Sequence, residues 1–254
     1  MKDSVDDRMI NGRDGTLKGH GGWRFTDIHC HCLPGLDDGP STIAEAVSLC
    51  RRLVEEGIAT VIATPHQLGR FEGRSDAASV REAVRDLRES LSAAGTDLDI
   101  VAGGEVRVDE RICRLLEADK ILTLADGGRY ILLELPHEVF INIESLLVEL
   151  ASMGIDAVIS HAEMIAPLPA HMRILRTWLE RGAALQLTAS SLVGAFGPDL
   201  RTSAWNLLSD GLASLVATDS HDLSLRKPRA RDAFAQIGSE LGENLARMVC
   251  IENP

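Results

Sequence analysis

Trp23-Arg-Phe-Thr-Asp-Ile-His-Cys-His31 joins a largely apolar run to two histidines spaced two residues apart. Side chains alternate along a strand with period 2, so His29 and His31 share one face while Cys30 and Cys32 take the other. Two imidazoles on one face of an extended segment form a metal-ligand pair. Alone the pair is weak, and it gains meaning from the rest of the chain. Five further apolar runs of strand length each end at a His, Asp or Glu. His66 follows Thr60-Val-Ile-Ala-Thr-Pro65, and Glu105 follows Ile100-Val-Ala-Gly-Gly104. Glu134 follows Ile131-Leu-Leu133, His161 follows Ala157-Val-Ile-Ser160, and Asp219 with His221 follows Leu215-Val-Ala-Thr218.

Between these runs lie helical patterns. Thr42 and Glu45 form a capping box that predicts a helix running through Val47, Leu49, Cys50, Leu53 and Val54 to a stop at Gly57. Strands are expected near 24–28, 59–63, 98–103, 130–134, 156–160, 184–188 and 213–217, with helices near 75–94, 108–118, 142–153, 170–181 and 199–210. Seven βα units with near-continuous apolar strands imply a parallel sheet covered on both faces. A closed barrel suits them better than an open doubly wound sheet, because it gathers the polar strand ends at one C-terminal mouth. The expected fold is therefore α/β, a seven-stranded (β/α)7 TIM-like barrel.

With 254 residues, 45% hydrophobic and 25% charged, the chain has the composition of an ordinary globular protein and is long enough to bury roughly three quarters of its unfolded surface. Residues 23–254 are read as one domain. Residues 1–22, which include His20, lack periodicity and are expected to form a mobile extension. The net charge of −12 disfavours nucleic acid and anionic membrane surfaces as partners. No apolar span of membrane length interrupts the chain, and five cysteines without a framework spacing fit a reducing cytoplasm.

His29, His31, Asp38, His66, Glu105, Glu134, His161, Asp219 and His221 form a mixed imidazole and carboxylate set suited to manganese, iron or zinc. Nine donors are too many for one ion and suit three that share a bridging carboxylate. Four carboxylates against three divalent ions leave about +2, which matches a phosphate dianion. Asp37 and Asp38 adjoin each other, and either fits as the ligand. Asp27 reads as a partner that orients an imidazole. Cys30 and Cys32 are expected to pack against the barrel wall. No cysteine has an arginine six positions on, so thiol-based tyrosine phosphatase chemistry is excluded. His137 and His171 are assigned surface or packing roles, and Tyr130, Trp178 and Trp205 core positions. In the basic run Arg226-Lys-Pro-Arg-Ala-Arg231, Arg226 is read as part of a rim for a phosphorylated substrate.

Several segments together resemble the polymerase-and-histidinol-phosphatase (PHP) superfamily, and more narrowly the manganese-dependent bacterial tyrosine phosphatases of capsule and exopolysaccharide operons. They are Asp27-Ile-His-Cys-His-Cys-Leu-Pro-Gly-Leu-Asp-Asp-Gly39, Ala63-Thr-Pro-His66 with Gly69-Arg-Phe71, Gly103-Gly-Glu105, Tyr130-Ile-Leu-Leu-Glu134, Val158-Ile-Ser-His161, Ala217-Thr-Asp-Ser-His221 and Glu252-Asn-Pro254. The resemblance implies a distorted barrel holding three metals, most simply Mn2+. One would lie on His29, His31, Glu105 and Asp219, a second on Glu105, Glu134 and His161, and a third on Asp38, His66 and His221. It prefers Asp38 to Asp37, and it places Arg226 against the substrate phosphate. The implied activity is direct attack of metal-bound hydroxide on a phosphotyrosine protein, a polysaccharide-export tyrosine kinase tail; a homo-oligomer is compatible with it. The chain departs from the family at Met164, where His161-Ala-Glu-Met164 stands for the usual His-x-Glu-Arg. That departure leaves two alternatives open, a small-molecule phosphatase of the histidinol-phosphate type and a non-catalytic metal-binding regulatory module.

Overall fold

The structure is a computed structural model, and it describes residues 24–166 and 168–254. The expected N-terminal extension lies outside the described residues. Strand segments are β1 (Phe25–Cys30), β2 (Ile58–Ala63), β3 (His66–Gln67), β4 (Asp99–Ala102), β5 (Glu105–Arg107), β6 (Tyr130–Glu134), β7 (Asp156–Ile159), β8 (Ala184–Thr188) and β9 (Leu215–Ala217). All pairings are parallel, in the orders β1-β2-β4 and β3-β5-β6-β7-β8-β9. A parallel bridge between Cys30 and Ser220 joins the first strand to the segment after the last. Across that seam the His31 amide donates to the Ser220 carbonyl at 2.9 Å and the Asp219 amide to the His29 carbonyl at 2.8 Å. The curled sheet is thereby closed into a distorted barrel.

The strands expected near 59–63 and 98–103 are present as β2 and β4, and each is followed by a short further strand segment that was not expected. Pro65, which has no N–H to donate, separates β2 from β3, and Gly103-Gly104 separates β4 from β5. The glycines are required by packing. A Cβ at Gly103 would sit 2.6 Å from the Ile62 Cγ2, and one at Gly104 would overlap the Gln67 side-chain amide. The breaks turn β3 and β5 inward, so that His66 pairs with Glu105 in register at the mouth.

Six helices follow the predicted pattern, α1 (Ile43–Glu55), α2 (Ala77–Ala93), α3 (Ile112–Glu117), α4 (Glu144–Ser152), α5 (Met172–Glu180) and α7 (Pro198–Ser209), while α6 (Ala189–Leu192), α8 (Ala230–Leu241) and α9 (Glu243–Arg247) were not expected. The capping box at α1 is present: the Glu45 amide donates to the Thr42 hydroxyl, and the Thr42 amide to the Glu45 carboxylate, both at 3.3 Å. It fixes the loop that carries Asp37 and Asp38. Among the described residues no helix is long and apolar enough to cross a membrane.

The core has two layers. The larger lies between strands and helices and includes Leu49, Leu53, Val61, Ile100, Leu133, Ile159, Leu187 and the fully buried Trp178, together with Cys30 and Cys32 as expected. The smaller fills the barrel with one or two residues from most strands, namely Ile28, Ile62, Leu132, Val158, Leu215 and Ala217. It forms an apolar plug beneath a polar upper layer. Tyr130 does not belong to the core: it is 40% exposed, because it starts β6 at the far end of the barrel, where its ring lies against the Arg129 guanidinium. Trp205 is half-buried, donating its indole N–H to the Leu192 carbonyl at 3.0 Å.

Candidate metal centre

All nine predicted donors reach the C-terminal mouth of the barrel. Backbone geometry helps two of them. His161 (φ 31°) and Asp219 (φ 51°) adopt the left-handed region directly after their strands, a conformation uncommon for residues with a side chain and concentrated at functional sites.

His29 in β1 and His31 just after it are arranged as a pair of candidate ligands. The His29 Nδ1 lies 2.9 Å from the Gln186 side-chain carbonyl oxygen, and the His31 Nδ1 2.6 Å from Asp37 Oδ2. Both acceptors call for a proton on Nδ1, which leaves the two Nε2 lone pairs facing each other at 3.1 Å. Two lone pairs at that distance repel unless a cation or a proton lies between them. Glu105 closes the same spot. Its Oε2 is 3.4 Å from His29 Nε2, 3.5 Å from His31 Nε2 and 2.9 Å from His66 Nδ1, yet none of these contacts is aligned as a hydrogen bond. Its Oε1 is 2.9 Å from His161 Nε2 and accepts from the Ser160 hydroxyl at 2.6 Å. Asp219 Oδ1 completes the group at 3.4 Å from His29 Nε2 and 3.5 Å from His31 Nε2.

On the other side Asp38 Oδ1 lies 3.3 Å from both His66 Nε2 and His221 Nε2. The latter nitrogen is buried without a hydrogen-bond partner. Donor atoms of His31, Asp38, His66 and His221 all fall within 4.8 Å of one another, as do those of His29, His31 and Asp219, and those of His66, Glu105 and Glu134. Misaligned buried donors converging in small groups fit divalent ions far better than a network of hydrogen bonds, which would satisfy each atom.

The electrostatics agree. Burial works against the charge on Glu105, but His29 and His161 outweigh it and hold the carboxyl well below its usual range. Asp219 is likewise lowered despite burial, through His29, His221 and Arg226, and Asp38 through the close imidazoles of His221 and His66. Burial also works against a proton on His29, yet Glu105 and Asp219 push it up to about 9. The carboxylates around His29 thus outweigh its burial, whereas at His221 burial wins and the imidazole is pushed down to about 4.

The structure separates Asp37 from Asp38. Asp37 sits behind His31, taking its Nδ1 proton and the His66 amide at 3.0 Å, while Asp38 faces the cluster. Gly39 makes this possible, since a Cβ there would collide with the His31 carbonyl. Asp27 does not touch an imidazole ring; its carboxylate accepts from the Thr218 amide at 2.9 Å and the Thr218 hydroxyl, so it orients backbone across the seam. Burial pushes its carboxyl up to about 6. Gln186 escapes a reading of the sequence, because a glutamine inside a strand carries no signal of its own; it also accepts from the His161 amide at 3.2 Å.

His137 departs from its surface or packing assignment. Its Nε2 is 3.4 Å from His161 Nδ1, and it shares a cluster with Glu134 and His161. The reason is the turn after β6, where the Ala166 amide donates to the His137 carbonyl at 2.9 Å and draws it beside the loop carrying His161. His171 does pack, its ring stacked on Phe140 with centroids 3.9 Å apart.

Arginines ring the mouth. Arg226 reaches Asp219 with Nη2 (3.1 and 3.2 Å) and Asp38 Oδ2 with Nη1 (3.4 Å). Arg70, absent from the predicted site, donates to the same Asp38 oxygen at 2.7 Å. Arg107 donates to Glu134 Oε1 at 2.9 Å. A cleft of about 400 Å³ opens between Arg70, Phe71, Arg107, His66 and Glu134. Arg231 is turned away, its guanidinium donating to the Glu55 carbonyl at the end of α1.

The family model described as "Capsular polysaccharide synthesis, CpsB/CapC" matches residues 25–254. The chain belongs to this family. It is 34% identical to the tyrosine-protein phosphatase YwqE of Bacillus subtilis (strain 168), over 88% of this chain and 87% of that one. It is 30% identical to the putative tyrosine-protein phosphatase CapC of Staphylococcus aureus, over 83% and 82%. A crystal structure from a study of B. subtilis YwqE and Streptococcus pneumoniae CpsB, described there as unique metal-dependent tyrosine phosphatases, superposes with a TM-score of 0.84 at 33% identity, covering 88% of this chain and 90% of that one. The family's distorted PHP-type barrel is thus the fold of this chain. An Escherichia coli phosphotriesterase homology protein shares the fold alone, with a TM-score of 0.56 at 14% identity.

Proposed function

We propose that this chain is a metal-dependent phosphoric monoester hydrolase that removes phosphate from phosphotyrosine on the tail of a capsule-export tyrosine kinase in the cytoplasm. The observation that carries the reading is the set of imidazole and carboxylate donors converging in small groups, with Glu105 Oε2 and His221 Nε2 buried and unpartnered, in a chain of the CpsB/CapC family. Three ions would be held, the first by His29, His31, Glu105 and Asp219, the second by Glu105, Glu134 and His161, the third by Asp38, His66 and His221. Manganese suits a set so rich in carboxylate. When bound, such ions acidify water and neutralise charge on phosphoryl oxygens.

The side chains do the rest. Gln186 and Asp37 hold His29 and His31 in the tautomer that points Nε2 inward. Arg226 and Arg70 stand where a phosphate dianion would arrive, and their guanidiniums can each donate to a non-bridging oxygen. Cys30 and Cys32 are fully buried, and their thiol pKa values are pushed up, Cys30 by burial and Cys32 chiefly by its contact with Cys30. Neither offers a thiolate, so the phosphoryl group passes to water. A P–O bond forms to the water oxygen, the bond to the tyrosine oxygen breaks, and the phenolate leaves. With a phenol pKa of about 10 this leaving group needs little acid assistance.

The test is hydrolysis of p-nitrophenyl phosphate, a phosphotyrosine peptide and histidinol phosphate by the manganese-loaded protein. Phosphotyrosine should be preferred, chelation should abolish turnover, and thiol alkylation under native conditions should leave it intact. Full activity in metal-free protein refutes the reading, and preference for histidinol phosphate replaces the substrate.

A further inference from the structure

The second of the three donor groups is the least complete. Glu105 is shared with the first, leaving Glu134 and His161 as its own side chains, and the chain places a third donor beside them. Glu134, His137 and His161 each offer an atom within 4.8 Å of the other two. Metal–nitrogen and metal–oxygen bonds of about 2.1 Å put neighbouring ligands roughly 3 to 4 Å apart. The ring of His137 stands edge-on to that of His161, at 90° with centroids 5.0 Å apart, and its Nε2 faces His161 Nδ1 at 3.4 Å. His137 is half-buried, and its backbone is tied to the loop after His161 through the Ala166 amide. Its place is therefore set by the fold. The spacing Glu134-Leu-Pro-His137 delivers both side chains from one strand end, with Pro136 restricting the backbone between them.

We propose that His137 is a further protein ligand in this centre, joining Glu134 and His161 on one ion. The inference rests on the metal-centre reading above and adds a donor to it. Two nitrogens and one carboxylate give this ion a more nitrogen-rich set than Glu105, Glu134 and His161. Affinity for zinc should rise more than affinity for manganese, because imidazole favours later metals in the divalent series.

The competing role is a hydrogen bond from His137 that only orients His161. Metal content measured by elemental analysis after dialysis against chelator-buffered Mn2+ or Zn2+ separates the two. His137→Gln keeps a hydrogen-bonding amide of similar reach but is a poor ligand, whereas His137→Glu restores a ligand oxygen. The Gln variant should need at least tenfold more free metal to fill its last site. The Glu variant should recover that site, with its preference moved from zinc toward manganese. His171→Gln is the control and should match wild type. Wild-type occupancy and affinity in His137→Gln overturn the proposal in favour of the orienting role, and so does a loss that Glu fails to restore. Wild-type protein that takes up no ions refutes the metal-centre reading itself, an outcome distinct from the loss of one site.

Discussion

Arg226→Ala should lower kcat/KM for aryl phosphates roughly 10- to 150-fold while leaving metal content unchanged. The guanidinium is one-third exposed and rests on two carboxylates, Asp219 at 3.1 and 3.2 Å and Asp38 at 3.4 Å. Its backbone is pinned as well, since the His221 amide donates to the Arg226 carbonyl at 3.0 Å. Once cations take up the charge of those carboxylates, the guanidinium N–H groups are free to turn to the next anion, the substrate phosphoryl group. A hydrogen bond to a charged group contributes about 1.5 to 3 kcal/mol, and about 1.4 kcal/mol corresponds to a factor of ten. Arg70 meets the same Asp38 oxygen at 2.7 Å, but its side chain is 70% exposed. Exposed pairs are worth about 0 to 1 kcal/mol, so Arg70→Ala should cost no more than about fivefold. Arg226→Lys should fall between wild type and alanine, because the ammonium keeps the charge and loses the planar fork. The assay is steady-state kinetics on p-nitrophenyl phosphate and a phosphotyrosine peptide, with metal content measured on the same samples. Wild-type kcat/KM in Arg226→Ala refutes the argument. So does a loss that tracks a loss of metal, since the arginine would then be a support for Asp219 and not a phosphate contact.

Glu105→Gln should remove at least about a hundredfold of turnover and lower the metal content of the purified protein, because one buried carboxylate serves His29, His31, His66 and His161 within 3.5 Å; full metal occupancy in that variant excludes a bridging role. Met164→Arg should raise kcat/KM for a phosphotyrosine peptide by about tenfold or somewhat more, the scale of one charge-assisted hydrogen bond. Met164 lies in the turn whose amide bonds back to the His161 carbonyl at 2.8 Å. A fall in phosphotyrosine hydrolysis in a variant of normal metal content and thermal stability indicates a pocket shaped for another substrate.

The barrel was legible because each of its strands is an apolar run that stops at a polar residue, a pattern that local sequence carries in full. The breaks at Pro65 and Gly103-Gly104 were not, since a short apolar run containing glycine reads as continuous strand until its neighbours are known. The need for glycine at 103 comes from Ile62, forty-one positions earlier, and at 104 from Gln67. The same limit explains Tyr130, whose aromatic ring in a β-rich run suggests burial but which starts its strand at the open end.

In the metal centre the ligand types were readable from strand ends, and the supporting groups were not. Asp37 and Asp38 are chemically identical neighbours, and only the path of the turn, held by Gly39 against the His31 carbonyl, sends one behind an imidazole and the other into the cluster. Gln186 and His137 acquire their roles from partners 157 and 24 positions away. The contacts of Asp219 depend further on the seam between Cys30 and Ser220, because that bridge sets Asp219 opposite His29. Asp27 holds the seam from beneath through Thr218. The centre is therefore a property of barrel closure. A sequence announces which residues are able to ligate, but Asp219 and His221 are set beside His29 and His31 only when the first strand meets the last.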